Sequence, residues 1–258
     1  MFLAIDAGNS NVVFALYNQE SQTWTNQFRL ETKTPKLISQ LAKKVPVYFL
    51  EHGLSAADIR EIGFSSVVPE VNGLIVDFCK NYFGIEPFLI SPTAYNALEV
   101  KTQRPQEMGT DLMCNVVAAW DKFKQAAIVV DFGTALTFTV VNDQGEVQGV
   151  SIVPGLRTAI KSLFTNTSKL PEVELKLPES AIGKDTIHAI QAGILYGYTG
   201  LVQGMVKRIK EETKQEYKVI ATGGLSEILT PLEKEFDLID RNLTLNGLRL
   251  ITQANQSL

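Results

Sequence analysis

Two cysteines, Cys79 and Cys114, are all that the 258 residues contain, and neither belongs to a Cys-x-x-Cys pair. A disulfide framework and a thiolate zinc site are therefore excluded as organising devices, and both thiols, set among apolar neighbours, read as small buried hydrophobes. The two histidines, His52 and His188, stand far apart and read as surface or helix residues rather than metal ligands. Runs of Lys or Arg are missing, and 24 basic against 28 acidic residues leave a formal charge of −4. That balance excludes a general nucleic-acid footprint. No apolar run approaches the roughly 20 residues of a bilayer span, and the N-terminus lacks the basic, apolar, small-residue order of a signal peptide. The expectation is a soluble, cytoplasmic chain whose partner is a small molecule, with no nucleic acid and no membrane.

What the sequence does have is repetition. "LAIDAGNSNVVFALYN" (3–18) returns as "IVVDFGTALTFTVVND" (128–143), aligning Asp6 with Asp131, Gly8 with Gly133 and Asn9 with Thr134. In each copy two short, β-branched apolar runs flank a glycine turn, the pattern of a hairpin with the acid at its tip. Third strands are expected at 23–31 and 146–153. After them, helix-period segments near 35–45, 71–83 and 110–124 alternate with strands at 61–68 and 87–91. The second half repeats the scheme, with helices at 154–164, 184–212 and 225–236, a strand at 218–224 and a closing segment at 243–255. The fold class is therefore α/β, a duplicated domain in which each copy is a mixed five-stranded sheet flanked by helices. The boundary is placed at "DKFKQ", giving domains 1–124 and 125–258.

The tip "DAGNSN" has the chemistry of a phosphate grip. Glycine lets the backbone turn and approach a ligand, and the amides with Asn9, Ser10 and Asn11 supply donors. A carboxylate at Asp6 suits such a site when a Mg²⁺ lies between acid and phosphate, since hard cations take both kinds of oxygen. A plain turn with Asp6 capping its own backbone uses the same residues. The repeat favours the grip, because two such tips can hold one polyanion. At "VIATGGL" (219–225) Gly223 and Gly224 let a flat nucleobase or ribose lie on the backbone, although a simple loop is written the same way. In "EMGTDLMCNVVAAW" (107–120), Asp111 is either an N-terminal cap of a helix or a general base beside a substrate hydroxyl. The segment 187–209, rich in small residues, is either a core helix or a dimer surface.

Taken in order, "DAGNSN", "SSVVP" (65–69), "GTD" (109–111), "DFGTA" (131–135), "PGL" (154–156), "KLP" (169–171), "IGKDTIHAIQAG" (182–193), "TGG" (222–224) and "NGL" (246–248) resemble the type III pantothenate kinases. These belong to the superfamily of acetate and sugar kinases, heat-shock chaperones and actin. The resemblance covers nearly the whole chain and implies ribonuclease H-like, actin-like ATPase domains. It further implies ATP-dependent phosphorylation of pantothenate to 4′-phosphopantothenate, the first step towards coenzyme A, by a homodimer needing Mg²⁺ and a monovalent cation, K⁺ or NH₄⁺. By position it implies that Asp6, Ala7, Gly8, Asn9, Ser10, Asn11, Val12 and Val13 hold the ATP phosphates, with Asp6 directing Mg²⁺. Gly133, Thr134, Gly223 and Gly224 complete the nucleotide site, and Asp131 ligates the monovalent cation. Gly109, Thr110, Asp111, Leu112 and Thr186 contact the substrate, Asp111 as catalytic proton acceptor and Thr186 reaching the neighbouring subunit's site.

Two positions depart from that family's pattern. Leu112 stands where it usually carries arginine, and Thr102 where it tends to carry tyrosine. Leucine cannot make the forked, charge-assisted bonds that arginine gives a carboxylate, so another base such as Arg104 or Arg157 is left to anchor an anionic acceptor. The alternatives are a kinase for a different small hydroxyl acceptor and a non-catalytic nucleotide-binding regulator. A two-metal nuclease is disfavoured by the glycine-rich tips and the lack of basic patches.

Overall fold

The computed structural model describes residues 1–33, 35–226 and 228–256. Its first five strands are β1 (Phe2–Ala7), β2 (Asn11–Asn18), β3 (Thr23–Glu31), β4 (Glu61–Ser66) and β5 (Phe88–Leu89), in the spatial order β3-β2-β1-β4-β5. β1 pairs antiparallel with β2 and parallel with β4. The second sheet uses β6 (Ala127–Phe132), β7 (Ala135–Val141), β8 (Val147–Pro154), β9 (Lys218–Thr222) and β10 (Leu238–Ile239), in the order β10-β9-β6-β7-β8. β6 pairs antiparallel with β7 and parallel with β9. Each sheet thus has the same connectivity, and the duplicated, mixed five-stranded plan expected from the repeat is what the chain adopts.

Helices α1 (Lys36–Glu51), α2 (Pro69–Phe83), α3 (Thr110–Phe123), α4 (Leu156–Asn166), α5 (Thr186–Thr213) and α6 (Leu243–Gln256) flank the sheets. α1 runs past its expected end near 45 and through Pro46, because Leu37, Leu41, Val45 and Phe49 keep a buried stripe at four-residue spacing. α2 starts at Pro69, whose missing N–H costs nothing in a first turn, and stops at Gly84 in left-handed backbone with φ 69°. The helix expected over 225–236 is not formed. Beyond Gly223 the Ser226 amide and hydroxyl both donate to the Gly223 carbonyl, closing a turn, and Pro231 opens only a short 3₁₀ helix at Thr230–Glu235. Glu227, inside that expected helix, lies outside the described residues.

Contacts divide the chain into two compact units, one of Met1–Ala118 with the segment from Thr244 and one of Ala119–Leu243. α6 therefore belongs with the first unit, where the sequence placed it in a 125–258 domain. The reason lies in two glycines: a Cβ on Gly247 would run into the Cys114 carbonyl on α3, and one on Gly63 into the Leu248 and Thr252 side chains. Asn255 and Thr244 add hydrogen bonds to the Ala94 carbonyl and the Asn115 side chain. In the first unit Leu3, Ile5, Ala7, Val12 and Phe14 turn into one core with α1 and α2. Alternation sends Ala4, Asp6 and Ser65 to the opposite sheet face, the one α6 covers. In the second unit Ile128, Val130, Phe132, Leu136 and Phe138 meet Leu195, Val202 and Val206 of α5, so the 187–209 segment is a core helix along that face.

Candidate active site

The β1–β2 tip is short and open. The Gly8 amide donates to the Asn11 carbonyl at 3.0 Å, and the Thr32 hydroxyl donates to the Gly8 carbonyl at 2.7 Å, which ties the turn to the end of β3. Asn9, Ser10 and Asn11 stay exposed, whereas Ala7 and Val12 are buried in the core, so these two can offer a ligand only their backbone. Gly8 has no left-handed backbone, and an added Cβ would find only ordinary contact, so the turn itself does not demand glycine.

Strand pairing sets Asp6 opposite Ser65. The buried Ser65 hydroxyl lies 3.0 Å from Thr110 Oγ1, and Thr110 donates to the Ser66 carbonyl at 3.1 Å. The next residue is Asp111, in the first turn of α3, so Asp6, Ser65, Thr110 and Asp111 gather at the C-terminal ends of β1 and β4. Gly109 makes room for the acid: a Cβ there would stand 2.6 Å from Asp111 Oδ1. Burial raises the Asp111 carboxyl above the ordinary carboxylate range, opposed by hydrogen bonds from the Leu112 amide at 2.8 Å and its own. A half-buried carboxylate kept basic at a helix N-terminus is equipped to take a proton from an alcohol. The Thr110 hydroxyl, expected to touch substrate, is engaged by Ser65 and Ser66. Cys114, one turn below Asp111, is fully buried, and burial first, then the charges of Asp6 and Asp111, push its thiol far up. It is a packed thiol, as its apolar surroundings indicated.

The second unit repeats the arrangement with different side chains. Asp131 stands opposite Thr137 on β7 and Thr222 on β9, so the three share one sheet face. Thr137 Oγ1 and Thr222 Oγ1 are buried with no hydrogen-bond partner. Gly223, at φ 90°, lets the chain leave β9 over the acid: a Cβ would meet Asp131 Oδ1 at 2.6 Å and the Phe132 backbone at 2.7 Å. The tip, with Gly133 half-buried and Thr134 exposed, is braced by α4, since the Thr134 carbonyl accepts from the Gly155 amide at 3.0 Å and the Thr158 hydroxyl at 2.8 Å. Further along α4, Arg157, Ile160 and Lys161 join Val173, Leu175 and Ile228 in lining a cavity of about 620 Å³. Nothing in the motif reading pointed to it, because its walls come from three separate segments.

Of the remaining expected residues, Thr186 is exposed at the start of α5, just after the Asp185 cap, and belongs to the second unit. Gly224 is exposed in the turn after β9. Leu112 is half-buried beside Gly109, and Thr102 accepts weakly from the Arg104 amide at 3.4 Å. Arg104 is itself exposed and paired with Glu107 at 3.3 Å. Among the described residues no group of three or more His, Cys, Asp or Glu forms a metal cluster, and no helix is long and apolar enough to cross a membrane.

The family model for type III pantothenate kinase matches residues 2–208. The chain belongs to the type III pantothenate kinase family. A type III pantothenate kinase of Citrifermentans bemidjiense is 40% identical over 256 residues, covering 99% of this chain and all of that one. Among solved structures, a protein described as a Baf family transcriptional activator from Campylobacter jejuni superposes with a TM-score of 0.60 at 20% identity, covering 99% of this chain and 100% of that one. The activator of 2-hydroxyisocaproyl-CoA dehydratase from Clostridium difficile, with ADPNP bound, superposes with 0.53 at 10% identity, covering 99% and 96%. At those identities the likeness shows the shared fold alone.

Proposed function

We propose that this chain phosphorylates pantothenate with ATP, giving 4′-phosphopantothenate and ADP, the first step towards coenzyme A. The observation that carries the reading is the juxtaposition of Asp6, Ser65, Thr110 and Asp111 in a chain of this family. Phosphoryl transfer needs a clamp on the triphosphate, charge neutralisation and one well-aimed base, with little covalent chemistry. We assign the clamp to the amides and polar side chains of residues 6–13, to Gly133 and Thr134, and to Gly223 and Gly224. The base is Asp111, which accepts the proton of the substrate hydroxyl as its oxygen attacks the γ-phosphorus. The cavity beside α4 takes ribose and base, because the first turn of α4 braces the Gly133–Thr134 tip and Ile228 follows Gly223–Gly224.

The residues present suit two cations. Asp6 offers a hard carboxylate beside the open tip, suited to Mg²⁺ shared with phosphate oxygens. Asp131 has two buried hydroxyl oxygens without protein partners on either side, a neutral oxygen set suited to K⁺ or NH₄⁺. Both cations would neutralise charge on the triphosphate. Substrate contacts are Gly109, the backbone of Thr110, Asp111, Leu112 and Thr186, the last acting across a homodimer in the cytoplasm. The test is mass detection of 4′-phosphopantothenate from ATP and pantothenate, with Mg²⁺ and K⁺ omitted in turn. Product that needs both is expected. ATP turnover with pantetheine but not pantothenate would favour the alternative that Leu112 motivates, an uncharged acceptor.

A further inference from the structure

We infer that Ser65 is a positioning residue for the proton transfer, acting through Thr110 to hold Asp111 in register with Asp6. The inference rests on the reading of Asp111 as the base.

Donor bookkeeping gives the contact a direction. Thr110 has one hydroxyl hydrogen, and the Ser66 carbonyl, 3.1 Å away, takes it. In the 3.0 Å pair between Ser65 and Thr110, Ser65 is therefore the donor. The chain of bonds runs from Ser65 to Thr110 and from Thr110 to the Ser66 carbonyl. Two consequences follow from that order. The start of α3 is anchored to the end of β4, in direct register with the strand that carries Asp6. Every hydroxyl hydrogen in the set is also spent away from the Asp111 carboxylate, whose bonds come from the amides of Asp111 and Leu112. The anchor thus fixes where the base stands and leaves its outward lone pair for the substrate. Ser65 is 0% exposed, so no water replaces the link when it is removed.

The test is steady-state kinetics of the full chain on ATP and pantothenate, comparing Ser65→Ala, Thr110→Val, Thr110→Ser, the Ser65→Ala/Thr110→Val double variant and Asp111→Asn. Misplacement by a fraction of an ångström predicts that Ser65→Ala and Thr110→Val each lower kcat about tenfold or more. KM for both substrates should stay within about twofold, the acid limb of the pH profile should not move, and the double variant should fall no further than the worse single one. Thr110→Ser, which keeps the hydroxyl, should recover most of kcat. Unchanged kcat in Thr110→Val, a KM effect alone, or a Thr110→Ser as impaired as Thr110→Val would overturn the inference. If Asp111→Asn itself retains turnover, the base assignment fails instead; if it is inactive while the anchor variants are unaffected, only the positioning role fails.

Discussion

At the scale of single residues, the two acids assigned to the site each lie against a glycine, and at Gly223 the left-handed backbone adds a requirement of its own. Asp111 lies against Gly109 and Asp131 against Gly223, each at a point where a Cβ would come within 2.6 Å of the carboxylate. Gly109→Ala is accordingly expected to displace the base, lowering kcat about a hundredfold while the protein still folds, which kinetics and a thermal melt check together. Asp111 also carries a stability signature. Its carboxyl is raised in the fold, chiefly by desolvation, so the native state prefers it protonated. Its contribution is fully present below the unfolded carboxylate value of about 4 and is lost as pH rises through the higher folded value. Asp111→Asn should therefore melt above the unaltered protein at pH 7, the gain fading as pH falls through that window, while turnover is lost. Equal melting temperatures at pH 7 would contradict the buried-base account.

At the scale of elements, α6 shows what pattern reading can and cannot reach. The sequence marked 243–255 only as a closing segment, and its partner was not visible, because close packing at Gly247 and Gly63 is a property of two surfaces. Gly247→Ala drives a Cβ into the α3 backbone at Cys114, which cannot give way, and should cost about 2–3 kcal/mol in chemical denaturation. Gly197→Ala, in open space on α5, is the control and should stabilise by roughly 0.5–1 kcal/mol. Equal effects would show that close packing is not the cause. The hairpins, their acids and α3 were legible because alternation and helix period are local. The helix expected over 225–236 was not formed because the glycine turn and Pro231 outweigh apolar spacing, and Ser65 was visible only as part of "SSVVP", because its place opposite Asp6 exists only through strand register.

At the scale of the whole molecule, a duplicated sheet carries two different sets of side chains around its acids. Position by position, Asp6 with Ser65 in one sheet corresponds to Asp131 with Thr222 in the other. The first copy adds a half-buried acid on a helix start, and the second keeps hydroxyl oxygens around its carboxylate. That division was foreshadowed by the aligned motifs, since the repeat exposed the two acids together, but the hydroxyls beside Asp131 come from separate strands and needed the fold to be seen. Everything proposed for the two sheets turns on phosphate transfer to pantothenate through Asp111. The deciding measurement is ADP release from ATP with Mg²⁺ and K⁺, with and without pantothenate, for the unaltered chain and for folded Asp111→Asn. Pantothenate-dependent release that the variant lacks is the predicted result; release indifferent to pantothenate, or preserved in the variant, would contradict it.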